Sequence, residues 1–153
     1  MIELRVITKE DKQNYIQFLV DHFDNVSEEH VRTFADKEID CMFSDYFRAP
    51  VFYAFYKDGV MIGTSGIIRE WVAPATGSIF WVCTHKDYRG QGIGTHIMND
   101  TIKNFAENIM MREPATIMLY CLEENCPFYE SLGFDKGPKG HKWFFMSKLI
   151  NVQ

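Results

Sequence analysis

Apolar positions along this chain follow two rhythms, one with a period near two and one near three and a half. Ile2 to Ile7 alternates as a half-buried strand does, and Thr8 with Asp11 makes a capping-box-like start for a helix. The apolar side of that helix is Tyr15, Ile16, Leu19, Val20 and Phe23. Ser27, followed by Glu28 and Glu29, caps a second helix carrying Val31, Phe34 and Ile39, before a looser segment that ends at Pro50. Val51 to Tyr56 and Val60 to Val72 flank Lys57-Asp58-Gly59, and Asp-Gly between two apolar runs predicts a hairpin. Pro74, Thr76 and Gly77 then turn the chain into a nearly unbroken apolar run, Ser78 to Cys83, suited to a buried strand. Ile93, Ile97, Phe105 and Ile109 recur at roughly helical spacing, and Glu113-Pro114 closes that element. Ala115 to Leu122 reads as a strand, Pro127 to Leu132 as a short helix and Lys142 to Leu149 as a last strand. The predicted order is strand, two helices, three strands, helix, strand, helix, strand, an α/β arrangement in one domain, residues 1–153, without repeats or linkers.

Between the Ser78 strand and the Ile93 helix lies Tyr88-Arg89-Gly90-Gln91-Gly92-Ile93-Gly94-Thr95. Glycines at 90, 92 and 94 let a backbone turn tightly and approach an anion, while the amides and dipole of a new helix favour negative charge. A diphosphate suits such a loop. A nucleoside-triphosphate loop would need Lys and then Ser or Thr after the last glycine, where this chain has Thr95-His96. The dinucleotide fingerprint Gly-x-Gly-x-x-Gly also fails, because its third place falls on Thr95 counted from Gly90 and on Ile97 counted from Gly92.

What remains, Arg-x-x-Gly-x-Gly from Arg89 through Gly92 to Gly94, resembles the pyrophosphate-binding signature of the GCN5-related N-acetyltransferases (GNAT). Further on, Pro127-Phe128-Tyr129-Glu130-Ser131-Leu132-Gly133-Phe134 looks like the Pro-Leu-Tyr-Glu-x-Leu-Gly-Phe segment that closes the acetyl-coenzyme A site in one branch of that superfamily. The resemblance spans nearly the whole chain and implies a mixed, mostly antiparallel central sheet with helices on both faces. It also implies a fourth and a fifth strand that splay apart to admit the pantetheine arm of acetyl-CoA, which then bonds the fourth strand as an added strand would. By motif register Val82 and Thr84 would meet pantetheine, Gly90, Gln91, Gly92, Ile93, Gly94 and Thr95 would wrap the pyrophosphate, and Arg89 would add charge or brace the loop. The family commonly has Val where this chain has Thr84 and Pro where it has Lys86.

The implied reaction is direct attack of an amine on the thioester, which needs a neutral amine, a stabilised oxyanion and a proton for the leaving thiolate. The resemblance assigns the proton, or a hydrogen bond to the thiolate, to Tyr129, and a backbone amide near Val82 or Cys83 is the economical oxyanion donor. For a base, Glu70 late in the third strand is favoured over Glu123 and Glu124, with a water chain to solvent as the alternative. Covalent transfer through Cys83 or Cys121 is disfavoured, because a thiol in an apolar strand holds little thiolate. His85 reads as an exposed loop histidine.

Composition narrows the function classes. The 153 residues carry a net charge of −5, so no basic patch invites nucleic acid, and the 46% of hydrophobic residues nowhere form a run long enough to span a bilayer. The charged residues of Met1-Ile2-Glu3-Leu4-Arg5 read as a first strand rather than a signal peptide, so a cytoplasmic protein is expected. Cys41, Cys83, Cys121 and Cys126 form no Cys-x-x-Cys pair and the five histidines no His-x-x-x-His pair, so no metal and reduced thiols are expected. The stretch Asp21 to Asp45 has eight acids against Arg32 and Lys37, six net negative charges, which would draw a small cationic amine acceptor if it lined the acceptor mouth. Phe43, Tyr46, Phe47 and Trp71 would add cation–π contact. The expected protein is an acetyl-CoA-dependent N-acetyltransferase, monomeric or homodimeric. The alternatives are a non-catalytic acyl-CoA sensor, an enzyme acting on a protein or peptide N-terminus, and a structural or partner-binding protein.

Overall fold

A computed structural model describes residues 1–71, 73, 75–108 and 115–151. The expected roles of Val72, Pro74, Ile109, Glu113 and Pro114 lie outside the described residues.

Among the described residues seven strands form one sheet in the order β1-β2-β3-β4-β5-β7-β6, with β4 and β5 parallel and every other neighbouring pair antiparallel. They are β1 (Ile2–Val6), β2 (Val51–Lys57), β3 (Val60–Arg69), β4 (Thr76–Thr84), β5 (Ala115–Cys121), β6 (Asp135–Lys139) and β7 (Phe144–Ile150). The helices are α1 (Lys12–His22), α2 (Glu28–Met42), α3 (Ile93–Asn108) and the short α4 (Cys126–Ser131).

The caps read from the sequence are the ones observed. The Thr8 amide donates to the Asp11 carboxylate at 2.7 Å, opening a turn of 3-10 helix that runs into α1. Ser27 Oγ accepts from the His30 amide at 3.1 Å, one of the N–H groups a helix start leaves without a partner. Asp58 and Gly59 both take positive φ, 49° and 78°, the backbone a two-residue hairpin needs to follow the strand twist.

Two cores lie on opposite faces of the sheet. On one, α1 and α2 bury Tyr15, Leu19, Val31, Ala35 and Ile39 against Phe52 and Ala54 of β2. On the other, α3 buries Ile97 and Met98 against Phe55, Ile62 and Ile117. Phe34 is not part of the first core: it is 50% exposed and stacks on His30 at 4.5 Å, while Ala35 takes the inward place. The α2 stripe is therefore Val31, Ala35 and Ile39, at the i, i+4, i+8 spacing of one helix face.

The seventh strand, β6, is an addition to the predicted order. It is an edge strand of mostly exposed residues, Asp135-Lys136-Gly137-Pro138-Lys139. Charge and proline protect a sheet edge from further pairing, and the same residues erase the apolar alternation that identifies a strand. β7 starts at Phe144 rather than Lys142, which leaves Trp143 in the preceding turn.

Candidate active site

The parallel pairing of β4 and β5 ends early. Thr76, Gly77 and Ser78 pair with Thr116, Ile117 and Met118, after which no pairing joins Ile79–Thr84 to β5. A cleft of about 540 Å3 opens beyond that point, lined by Val82, Cys83 and Thr84 on one side and by Leu122, Phe128 and Tyr129 on the other. The His85 amide donates to Ile62 of β3 at 2.8 Å. Because amides alternate along a strand, those of Thr84 and Val82 point the other way, into the gap.

A bulge sets this register. Thr64 pairs with Cys83 and Gly66 with Phe80, so Trp81 and Val82 together face the single residue Ser65. Trp81 takes φ 49°, a left-handed backbone that costs a side chain about 1–2 kcal/mol. Thr64 Oγ1 donates to the Trp81 carbonyl at 2.9 Å and the indole N–H donates to Glu38 at 2.9 Å. Phe23 packs on the indole at 5.0 Å, near edge-on. At about 1 kcal/mol for each hydrogen bond, and a similar amount for the aromatic pair, these contacts offset the strain. The Ser65 carbonyl accepts from the fully buried Tyr15 hydroxyl at 3.0 Å. Glu38 is half-buried, and burial raises its carboxyl above the usual range, with the Trp81 bond and His30 acting in the opposite direction.

At the other end of the cleft stands the N-terminus of α3. Its first helical bond runs from the His96 amide to the Gly92 carbonyl at 3.1 Å, so the amides of Ile93, Gly94 and Thr95 have no helical acceptor. Gly90 and Gly92 have φ of 74° and 79°, and a Cβ on either would point into open space within 4 Å. That space, the free amides and the helix dipole together fit a diphosphate. Gly94 serves packing instead, since a Cβ there would lie 3.2 Å from the Phe128 ring of α4.

Gly90, Gly92, Ile93, Gly94 and Thr95 all line the cleft, whereas Gln91 is exposed outside it and directs its amide to the Asp87 carbonyl at 3.4 Å. Arg89 lines the cleft with its charge already engaged. It donates to the Asp24 carboxylate at 2.6 Å, to the Thr84 carbonyl at 3.2 Å and to the His22 carbonyl. It braces the loop against the end of α1, and it occupies the Thr84 carbonyl while leaving that residue's amide to the gap.

Tyr129 stands on α4 in the cleft wall, its ring 4.9 Å from Phe128 and 6.0 Å from Phe134. Burial, with a smaller contribution from Cys121, raises its phenol well above the ordinary value of 10.0. Among the described residues the hydroxyl has no hydrogen-bonding partner. Burial also pushes the thiols of Cys83 and Cys121 up to about 12 each, so neither is a thiolate near neutral pH.

Glu70 is absent from the cleft lining. Its carboxylate accepts from Ser78 Oγ at 2.6 Å, at the closed end where β4 still pairs with β5. The hydrogen bond that follows from pairing the ends of β3 and β4 keeps it there. His85 is likewise outside the lining, stacked on His22 at 4.0 Å. The acids of α2 turn to other partners: Asp36 and Asp40 sit 2.8 and 2.6 Å from Lys12, and Glu28 pairs with Arg32. Tyr46, Phe47 and Trp71 form an exposed cluster away from the cleft, and Arg48 already lies over the Phe47 and Trp71 rings at 5.2 and 4.9 Å.

The residues the sequence did not mark come from connections. Asn25 after α1, Asn125 before α4 and Trp143 in the β6–β7 turn all line the cleft, beside Phe23, which the sequence placed on the helix face, and Asp24, one of the acids of the Asp21–Asp45 stretch. Asn25, at φ 66°, donates to Glu124 at 3.2 Å and links the two walls across the mouth. A left-handed Asn beside Asp24 is the one local signal, because Asn tolerates that backbone where other side chains resist it. Among the described residues no group of His, Cys, Asp and Glu could hold a metal ion, and no helix is long and apolar enough to cross a membrane.

Comparison with known proteins agrees with this fold. Two curated relatives are both named uncharacterized N-acetyltransferase ycf52. The protein from Porphyra purpurea is 35% identical over 68 residues, 44% of this chain and 37% of that protein. The one from Gracilaria tenuistipitata var. liui is 30% identical over 106 residues, 69% of this chain and 55% of that protein. The chain thus spans about half the length of these relatives, or less. The PaiA N-acetyltransferase of Thermoplasma acidophilum, solved with coenzyme A, shares the fold at a TM-score of 0.75 and 18% identity, over 97% of this chain and 98% of that one. The acetyltransferase (GNAT) family model matches residues 16–134, about three quarters of the sequence, and the chain belongs to that family.

Proposed function

We propose that the protein transfers an acetyl group from acetyl-CoA to the primary amine of a small cationic acceptor, by direct attack within the cleft. The observation that carries this reading is the pairing of two features in one cavity. A helix N-terminus with three free amides and open glycine faces stands at one end, and a phenol with no partner among the described residues stands in the wall. The first suits the diphosphate of coenzyme A and the second its thiol end.

In this reading the Thr84 amide bonds the pantetheine arm, and the Val82 amide meets the arm's acylated end, facing the thioester oxygen where negative charge develops. Tyr129, kept neutral by burial, gives its proton to the departing thiolate or hydrogen-bonds it. Arg89 holds the wall together rather than meeting phosphate directly. Cys83 and Cys121 carry no acyl group, since their thiols stay protonated.

Glu124 replaces Glu70 as the acidic group of the acceptor side. Asp24 and Glu124 are the carboxylates in the cleft lining, and Asp24 is neutralised by Arg89 while Glu124 is bonded by the uncharged Asn25 amide. Glu124 offers a cation a negative charge, while the Trp143 ring beside it already has Lys142 Nζ over it at 5.5 Å. The amine loses its proton to solvent water at this open mouth. A screen of polyamines, amino-sugar antibiotics, basic peptides and neutral amines, read as free thiol released from acetyl-CoA, tests the proposal. Turnover confined to cationic amines is expected. No thiol release with any amine, while coenzyme A still binds, would favour an acyl-CoA-binding module instead.

A further inference from the structure

We infer that Glu38 is a positioning residue for acetyl transfer: through the Trp81 indole it holds the β4 bulge that turns the Val82 amide toward the thioester oxygen. The inference rests on the proposed reaction and adds to it a residue on α2, outside the cleft.

The argument starts from the strain at Trp81. A tryptophan at φ 49° stays there only while its surroundings over-determine it. Its carbonyl is fixed by Thr64, a fully buried side chain, and its ring by Glu38 at 2.9 Å and by Phe23. The bulge places Phe80 and Trp81 together against the α1–α2 core and returns Val82 to the opposite face. If the indole is released, Trp81 can relax to an extended backbone. Alternation counted from Phe80, which pairs with Gly66, then carries through without the bulge and turns the Val82 amide toward β3, out of the gap. One misdirected oxyanion donor typically costs a factor of a hundred or more in turnover. Nothing in this chain of contacts touches the Gly90–Thr95 loop, so the diphosphate contacts, and with them most of the affinity for the cofactor, should survive.

Glu38 accepts through one carboxylate oxygen, and a glutamine amide oxygen can do the same. Glu38→Gln should therefore behave as the parent, whereas Glu38→Ala and Trp81→Phe should both lose the function. A role as a proton-accepting base would give the opposite ranking, with Glu38→Gln as damaged as Glu38→Ala.

The test is infrared difference spectroscopy of bound acetyl-CoA labelled with carbon-13 at the thioester carbonyl, which reads the hydrogen bond to that oxygen without any acceptor amine. Calorimetric titration with acetyl-CoA checks each variant's fold and affinity. The parent and Glu38→Gln should show the carbonyl band shifted to lower frequency. Glu38→Ala and Trp81→Phe should return it toward the free position, with affinity within about threefold of the parent. In turnover they should lose kcat at least tenfold at constant KM for acetyl-CoA, and the double variant should be no worse than either single one. A parent band at the free position would overturn the Val82 contact on which the inference stands. A shifted parent band that persists in Trp81→Phe would overturn the inference alone. Should Glu38→Ala fail to fold, Trp81→Phe, which keeps an aromatic ring in place but removes the pyrrole with its N–H, still decides, its fold being checked by the same calorimetry.

Discussion

At Tyr129 a neutral phenol tolerates the apolar wall better than a phenolate does, so burial moves its ionisation upward from 10.0. The sign matters for function: the acid form persists from neutral pH to beyond the ordinary phenol range. The kcat profile should show no fall below pH 10, because the donor does not ionise there. Tyr129→Phe should lower kcat by roughly 100-fold, the low end for a general acid, while KM for acetyl-CoA changes little. Steady-state kinetics across pH check both expectations, and equal rates for variant and parent would make Tyr129 a packing residue. The place of Tyr129 in the cleft wall was legible because it sits in a contiguous motif. Glu70 shows the converse, since a carboxylate's role depends on which partner reaches it, and Ser78 lies eight residues away in sequence.

At the scale of elements, the strand, glycine loop and α3 work as one unit, and local sequence specifies nearly all of it. Gly92→Asp would force a side chain onto a φ of 79° and direct a carboxylate into the space open to diphosphate. Calorimetry should show loss of coenzyme A binding, with a thermal unfolding transition retained because that position packs against nothing within 4 Å. Unchanged affinity in the folded variant would move the phosphate site elsewhere. The bulge in β4 was not legible. Its cause is spread over Thr64 of β3, Glu38 of α2, and Tyr15 and Phe23 of α1 and its C-terminal cap, so no window of sequence contains it. The edge strand β6 escaped for a local reason, because the charges and Pro138 that protect an edge remove the pattern by which strands are read.

Across the whole molecule, the net charge of −5 says less about the acceptor than the placement of each acid does. The excess between Asp21 and Asp45 is partly cancelled by cations from outside that stretch: Lys12 reaches Asp36 and Asp40, and Arg89 reaches Asp24. Pairings of such sequence separation are set by the packing of α1 on α2 and of the glycine loop on the end of α1. Glu124 is left to face the mouth, bridged by Asn25. Glu124→Gln should therefore lower kcat/KM for a cationic acceptor about tenfold at low salt, with little change in acetyl-CoA affinity. The difference should shrink as salt rises, since an exposed charge is screened over about 8 Å at physiological ionic strength. Asp40→Asn, which removes one of the two partners of Lys12, should leave kcat/KM within about twofold and at most lower the unfolding temperature slightly, because solvent screens a surface ion pair and Asp36 still holds Lys12. Measuring both variants against one cationic amine at low and at high salt separates the two kinds of acid. Equal losses in Glu124→Gln and Asp40→Asn would point to a diffuse field over the α1–α2 face, and no loss in Glu124→Gln at low salt would remove charge from the choice of acceptor.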